Sequence, residues 1–68
     1  MGPPMPNIYE LRFNGVAIER SENVVSLYWK ARRLVNGKPG FAEVETVEGP
    51  SYVNAIFSDA ILREWERR

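Results

Sequence analysis

The dipeptide Asn14–Gly15, in the segment YELRFNGVAIER, determines how the chain begins to fold. A two-residue type I′ turn needs positive φ at both central positions, which Asn tolerates and Gly adopts freely. Apolar and polar residues alternate on both sides of the dipeptide, as they do in strands with one buried face. The segment therefore predicts a β-hairpin with Phe13 opposite Val16 and Leu11 opposite Ile18.

This register gives the hairpin one favourable face and one unfavourable pair. The apolar side chains that share a face are Tyr9, Leu11, Phe13, Val16 and Ile18. On the other face Glu10 lies opposite Glu19, and like charges directly across a strand pair repel each other. The pattern thus predicts the hairpin and leaves one pair that opposes its simplest register.

Residues 24–35, VVSLYWKARRLV, fit two kinds of structure. The helical interpretation has an apolar stripe of Val24, Leu27, Tyr28, Ala31, Leu34 and Val35. In that interpretation Asn36–Gly37 ends the helix, and Trp29 flanks the stripe as an anchor for a partner. Alternation of apolar residues fits a strand as well, and the β-branched and aromatic content favours a strand. We therefore prefer the strand and keep the helix as the alternative.

The turn-forming residues NGKPG after this segment predict a second hairpin that returns into FAEVETV. With a loop over residues 37–40, Arg32 lies opposite Glu45 in that hairpin. The polar face of the hairpin would then bring cations beside carboxylates. Its members form the predicted partner-binding surface, Tyr28, Lys30, Arg32, Glu43 and Glu45.

The C-terminal segment PSYVNAIFSDAILREWERR predicts a helix, which is clearest over residues 59–67. Its apolar positions follow the helical period and end at Trp65, while arginines near the end suit the negative pole of the helix dipole. Ser58 is a suitable N-cap, and the residues before it could form a short strand. Both Trp29 and Trp65 fall at positions that we assign to the core.

Together these elements predict an α+β fold, a small antiparallel β-meander of two hairpins and about four strands packed against one C-terminal α-helix. Residues 7–68 are expected to form a single domain. Residues 1–6, with three prolines, are expected to be a disordered or extended lead-in and could include residues left from cloning. No uninterrupted apolar run approaches the roughly 20 residues that span a bilayer, so a cytoplasmic location is expected.

Composition excludes several chemistries. The chain has no Cys and no His, which removes disulfides, the commonest metal ligand and the usual general base. Glu43 and Glu45 could act as an acid–base pair, but solvated carboxylates matched to Lys30 and Arg32 are the preferred interpretation. We expect no enzymatic activity, no cofactor, no metal site and no small-molecule substrate.

Charge distribution favours a protein partner over a polyanion. Residues 1–40 carry six cations and three anions, and residues 41–68 carry three cations and six anions, so the halves stand at +3 and −3. Such a chain lacks the excess of positive charge on which binding to nucleic acid depends. The sequence therefore predicts a small interaction or regulatory module that binds another protein or itself. Nucleic-acid binding through Tyr28, Lys30 and Arg32 is the alternative.

Overall fold

The computed structural model describes residues 5–67 of the chain, so the prediction for residues 1–4 lies outside the described residues. The elements are β1 (Ile8–Phe13), β2 (Val16–Ser21), α1 (Val24–Val35), β3 (Phe41–Glu48), β4 (Asn54–Ser58) and α2 (Asp59–Glu66). All strand neighbours are antiparallel, in the order β2-β1-β3-β4. The α+β class, the four-stranded antiparallel sheet and the C-terminal helix are confirmed. That residues 7–68 form one domain stays a prediction.

The first hairpin forms at the predicted turn, with positive φ at Asn14 (50°) and Gly15 (83°). Phe13 pairs with Val16 as expected. A β-bulge then shifts the register, so that Leu11 pairs with Glu19. The predicted pairing of Leu11 with Ile18 is wrong for this reason, since a bulge inserts one extra residue into one strand.

The bulge also removes the like-charge pair. Glu10 lies opposite Arg20 rather than Glu19, and Arg20 Nε donates a hydrogen bond of 3.1 Å to Glu10 Oε1. A repulsive cross-strand pair is thereby replaced by an attractive one. The irregular register is therefore consistent with the charges of the two strands.

The strand preference for residues 24–35 is wrong, because Val24–Val35 forms α1. Asn23 caps this helix, its side chain accepting a hydrogen bond of 3.1 Å from the backbone N–H of Ser26. Leu27, Ala31 and Val35 are buried at four-residue intervals along one side. Packing of such a stripe against a sheet outweighs the modest β preference of the individual residues. The helical alternative was therefore the right one.

The predicted hairpin from residues 24–35 into FAEVETV does not form, because residues 24–35 are helical. The second hairpin is made instead by β3 and β4, and β3 lies beside β1 rather than in the order of a meander. The residues before Ser58 adopt the short strand that was the alternative for them. Ser58 is the N-cap of α2 as predicted, and its Oγ accepts a hydrogen bond of 3.2 Å from the backbone N–H of Ile61. Since α1 joins β2 to β3 and the two strands flank β1, the chain passes over β1 between its hairpins.

Both helices contribute to a core on one side of the sheet. The buried side chains are Leu11, Leu27, Ala31, Val35, Ala42, Val44, Phe57 and Leu62. The other side of the sheet, which we term the open face, is not covered by either helix. At the centre of β1 and β3 this face carries Glu10, Arg12, Glu43 and Glu45, and the apolar side chains of Phe41 and Ile56 are exposed beside them. The sheet thus separates the apolar core from a face with a charged centre.

Leu27→Ala should destabilise the fold by about 2–5 kcal/mol, because it removes a fully buried side chain from the contact between α1 and the sheet. Val25→Ala is the matched control on the exposed side of α1 and should change stability by less than about 0.5 kcal/mol. Urea unfolding followed by circular dichroism measures both values. Equal midpoints for the two variants would contradict the packing described here.

Candidate functional site

The five residues of the predicted partner-binding surface do not share a surface. Tyr28, Lys30 and Arg32 belong to α1, whereas Glu43 and Glu45 lie on the open face of β3. Arg32 is therefore not opposite Glu45, and the interpretation that placed them on neighbouring strands is wrong. Whether any of the five contacts a partner stays a prediction.

Arg12 of β1 occupies the place that the sequence assigned to Arg32. Its Nη1 lies 2.8 Å from Glu10 Oε2, and its Nη2 lies 3.0 Å from Glu43 Oε1 and 2.6 Å from Glu45 Oε1. Arg12 pairs directly with Glu43 across β1 and β3. We call Arg12 and these three carboxylates the Arg12 network.

Neighbouring groups complete the Arg12 network. Tyr52 Oη donates a 2.5 Å hydrogen bond to Glu45, and Asn54 Nδ2 donates one of 2.9 Å to Glu43. These bonds, followed by those from Arg12, lower the pKa of Glu45 and of Glu43. Both carboxylates are thus stabilised in their charged form.

The charged forms of Glu10 and Arg12, the remaining members of the network, are stabilised as well. Hydrogen bonds from Arg12 and then from Arg20 lower the pKa of Glu10, and the carboxylates in turn raise the pKa of Arg12. A general acid at neutral pH needs a raised pKa. The lowered pKa values of Glu43 and Glu45 therefore do not favour either carboxyl as a general acid.

Two of the predicted contact residues on α1 are already engaged. Tyr28 is half-buried, with its ring centroid 5.6 Å from that of Phe57. Lys30 Nζ lies 2.5 Å from Glu19 Oε2 on β2. Of the three α1 residues chosen from the sequence, this leaves Arg32 as an exposed side chain that forms no ion pair within residues 5–67.

Arg32 lies between two exposed tryptophans. Its Cζ is 5.1 Å from the ring centroid of Trp29 and 6.0 Å from that of Trp65. Trp29 is 58% exposed and Trp65 is 45% exposed, so the assignment of both to the core is wrong. We call these three residues the tryptophan–arginine face. The helical alternative for residues 24–35 contained its signal, because it set Trp29 beside the buried stripe.

Two cavities adjoin this face and share Trp29 and Arg32. An apolar groove of about 390 Å³ is lined by Val25, Tyr28, Trp29, Arg32, Ala55, Phe57 and Trp65. A second cavity of about 260 Å³, which we call the arginine pocket, is lined by Trp29, Arg32, Arg33, Asn36, Leu62, Arg63 and Glu66. A ligand could therefore contact apolar side chains in the groove and arginines in the neighbouring pocket at the same time.

No protein-family model, curated protein or solved structure matches the chain. Neither of the helices in residues 5–67 is long and apolar enough to cross a membrane.

Arg12→Met should reduce the sensitivity of the fold to acid. In the folded chain the pKa values of Glu10, Glu43 and Glu45 lie below the ordinary 4.5. Their stabilising effect is complete above that value and is lost as pH falls through the lowered values. Without the shared cation, the variant should be less stable at neutral pH and should lose less stability on acidification. Urea unfolding from neutral pH to about pH 3 measures both effects.

Arg63→Met is the control, because Arg63 makes its ion pairs with Asp59 and Glu66 on α2 and leaves the Arg12 network intact. Carboxylate pKa values from NMR titration of Glu10, Glu43 and Glu45 should rise in Arg12→Met only. An acid response in Arg12→Met equal to that of the wild type would contradict the role given to Arg12.

Proposed function

We propose that the protein is a non-enzymatic protein-binding module and that its binding surface is the tryptophan–arginine face. The observation that carries the proposal is the exposure of two indoles from different helices around Arg32, beside an apolar groove. Tryptophan and arginine are the residues most enriched at the energetic centres of protein interfaces. The tryptophan–arginine face can thus supply apolar contact area from its two indoles and directional hydrogen bonds from its guanidinium.

The fold does not require this exposure. Trp29 and Trp65 lie outside the buried cluster, which Leu27, Ala31 and Leu62 of the same helices complete. Exposed apolar surface rimmed by polar residues commonly marks an interaction site. One edge of the Trp65 ring contacts buried Phe57, with the ring centroids 6.1 Å apart. Support for the proposal therefore comes from exposed side chains that lie outside the buried cluster and remain available to a partner.

The open face supports binding less well. Its central charges already hydrogen-bond to one another in the Arg12 network, and a partner would have to desolvate groups that gain no new bonds. The nucleic-acid alternative loses the strand face on which it rested, since Tyr28 packs on Phe57 and Lys30 pairs with Glu19. A protein partner is thus the better-supported proposal. The cytoplasmic location stays a prediction.

Self-association is a second candidate, favoured by β4. Within residues 5–67, β4 is an edge strand of the sheet, and its Ile56 is exposed. Unpaired edge strands are templates for pairing with another chain. Sedimentation velocity over a range of concentrations tests this candidate, and a single monomeric species throughout would exclude it at those concentrations.

Trp29→Ala and Trp65→Ala should each weaken partner binding by about 2 kcal/mol or more, as loss of a central interface tryptophan does. Partners captured from extract of the source cells and identified by mass spectrometry would be purified and titrated calorimetrically against each variant. Both variants should keep the wild-type circular dichroism spectrum, because neither side chain is buried.

Phe41→Ala is the matched control for this experiment. Phe41 is an aromatic residue of β3 with the same 45% exposure as Trp65, but it lines neither cavity of the tryptophan–arginine face. Binding should survive this substitution. A partner whose affinity falls with Phe41→Ala and not with Trp29→Ala would place the binding surface elsewhere.

A further inference from the structure

We propose that the partner presents an acidic peptide segment, with a carboxylate bound in the arginine pocket and a neighbouring large apolar side chain in the apolar groove. This inference rests on the proposed function and specifies the chemistry of the partner. The argument for an acidic partner is that some cationic side chains near the two helices form ion pairs within the chain, whereas Arg32 and Arg33 do not.

Helix α1 has a surplus of positive charge. Its sequence VVSLYWKARRLV contains three cations and no acidic residue. Lys30 is neutralised by Glu19 of β2. Arg32 and Arg33, by contrast, form no ion pair with any residue in the range 5–67 that the structure describes. Two adjacent guanidinium groups therefore remain for an external anion.

The third arginine of the pocket is already compensated. Arg63 lies 3.2 Å from Asp59 and 2.9 Å from Glu66, and it also hydrogen-bonds to the side chain of Asn36. These ion pairs account for Glu66, which is the one acidic residue that lines the arginine pocket. The uncompensated charge of the pocket is thus that of Arg32 and Arg33.

Arg32 is positioned to bind a carboxylate. Its contacts with the rings of Trp29 and Trp65 restrict the guanidinium, which lowers the entropy lost when a ligand orders it. A guanidinium donates hydrogen bonds within its own plane, in a fork that matches the two oxygens of a carboxylate. Contact with aromatic faces is compatible with that mode of donation. Arg33 adds a second cation to the same pocket.

The apolar groove determines the rest of the ligand. Of the seven residues that line it, Arg32 is the one charged residue. Because the groove and the arginine pocket share Trp29 and Arg32, a carboxylate and an apolar side chain only a few residues apart could occupy both at once. An acidic peptide that contains Leu, Phe or Trp has this chemistry.

A polyanion fits these observations less well. Binding to a nucleic-acid backbone depends on several cations along an extended path, whereas the arginine pocket offers two arginines that form no ion pair, Arg32 and Arg33. The formal charge of the whole chain is zero. The site is therefore suited to one or two carboxylates in an apolar context.

Selection from a random-peptide display library against the immobilised full chain tests the inference. Enriched peptides should contain Asp or Glu within a few residues of Leu, Phe or Trp. The best of them would be synthesised and titrated calorimetrically, alongside a version with each acid replaced by its amide and alongside single-stranded oligothymidylate. The amide version should bind about tenfold more weakly or worse, as expected when a charge-assisted hydrogen bond is lost.

Arg32→Gln and Arg33→Gln should each weaken the acidic peptide to a similar degree. Arg20→Gln is the matched control, because it makes the same change of side chain on the open-face side of β2, and it should leave affinity within about twofold. Circular dichroism confirms that each variant is folded before it is titrated.

The possible outcomes separate this inference from the proposed function. Selected peptides that depend on Trp29 but tolerate amide replacement or Arg32→Gln would overturn the acidic-segment inference and leave the binding face standing. Binding that is insensitive to Trp29→Ala, or the absence of any enriched peptide, would overturn both. Tighter binding of oligothymidylate than of every selected peptide would overturn the inference in favour of nucleic acid.

Discussion

The packing of α1 on the centre of the sheet is the contact on which the rest of the molecule depends. Leu27, Ala31 and Val35 are fully buried, as are Leu11 and Val44 on the two central strands. A chain of this length buries a smaller fraction of its surface than a larger domain does, so there is little other apolar contact to replace this one. Because this packing fixes the rotation of α1 about its axis, Trp29 and Arg32 face outwards beside α2.

The same packing explains how charge is divided between the two sides of the sheet. Alternation along β1 and β3 sends Arg12, Glu43 and Glu45 to the side that no helix covers, and they neutralise one another there. On the helical side, Arg32 forms no ion pair within the described residues 5–67. Although the net charge of the sequence is zero, the charges of the open face neutralise one another, whereas the helical side has a local excess of positive charge at Arg32 and Arg33.

Local sequence signals predicted the turn at Asn14–Gly15 and the cap at Ser58, because the residues that specify each are adjacent in the chain. The pairing of β1 with β3 could not be predicted in this way, since it joins Arg12 to Glu43 across the whole of α1. Residues 24–35 fitted both periods, and only their packing partner distinguishes the two. The repulsion between Glu10 and Glu19 in the simplest register was visible in the sequence, but the pattern did not reveal that a bulge in β2 would place Glu10 opposite Arg20.

The placement of both tryptophans has a practical spectroscopic consequence. The chain contains two tryptophans, and both border Arg32. Indole emission responds to solvent and to nearby charge, so the intrinsic fluorescence of the unlabelled protein reports on this one region of its surface. Events at the Arg12 network, on the far side of the sheet, would leave that signal unchanged. A change in tryptophan emission would therefore report the binding of another molecule at the tryptophan–arginine face without an added label.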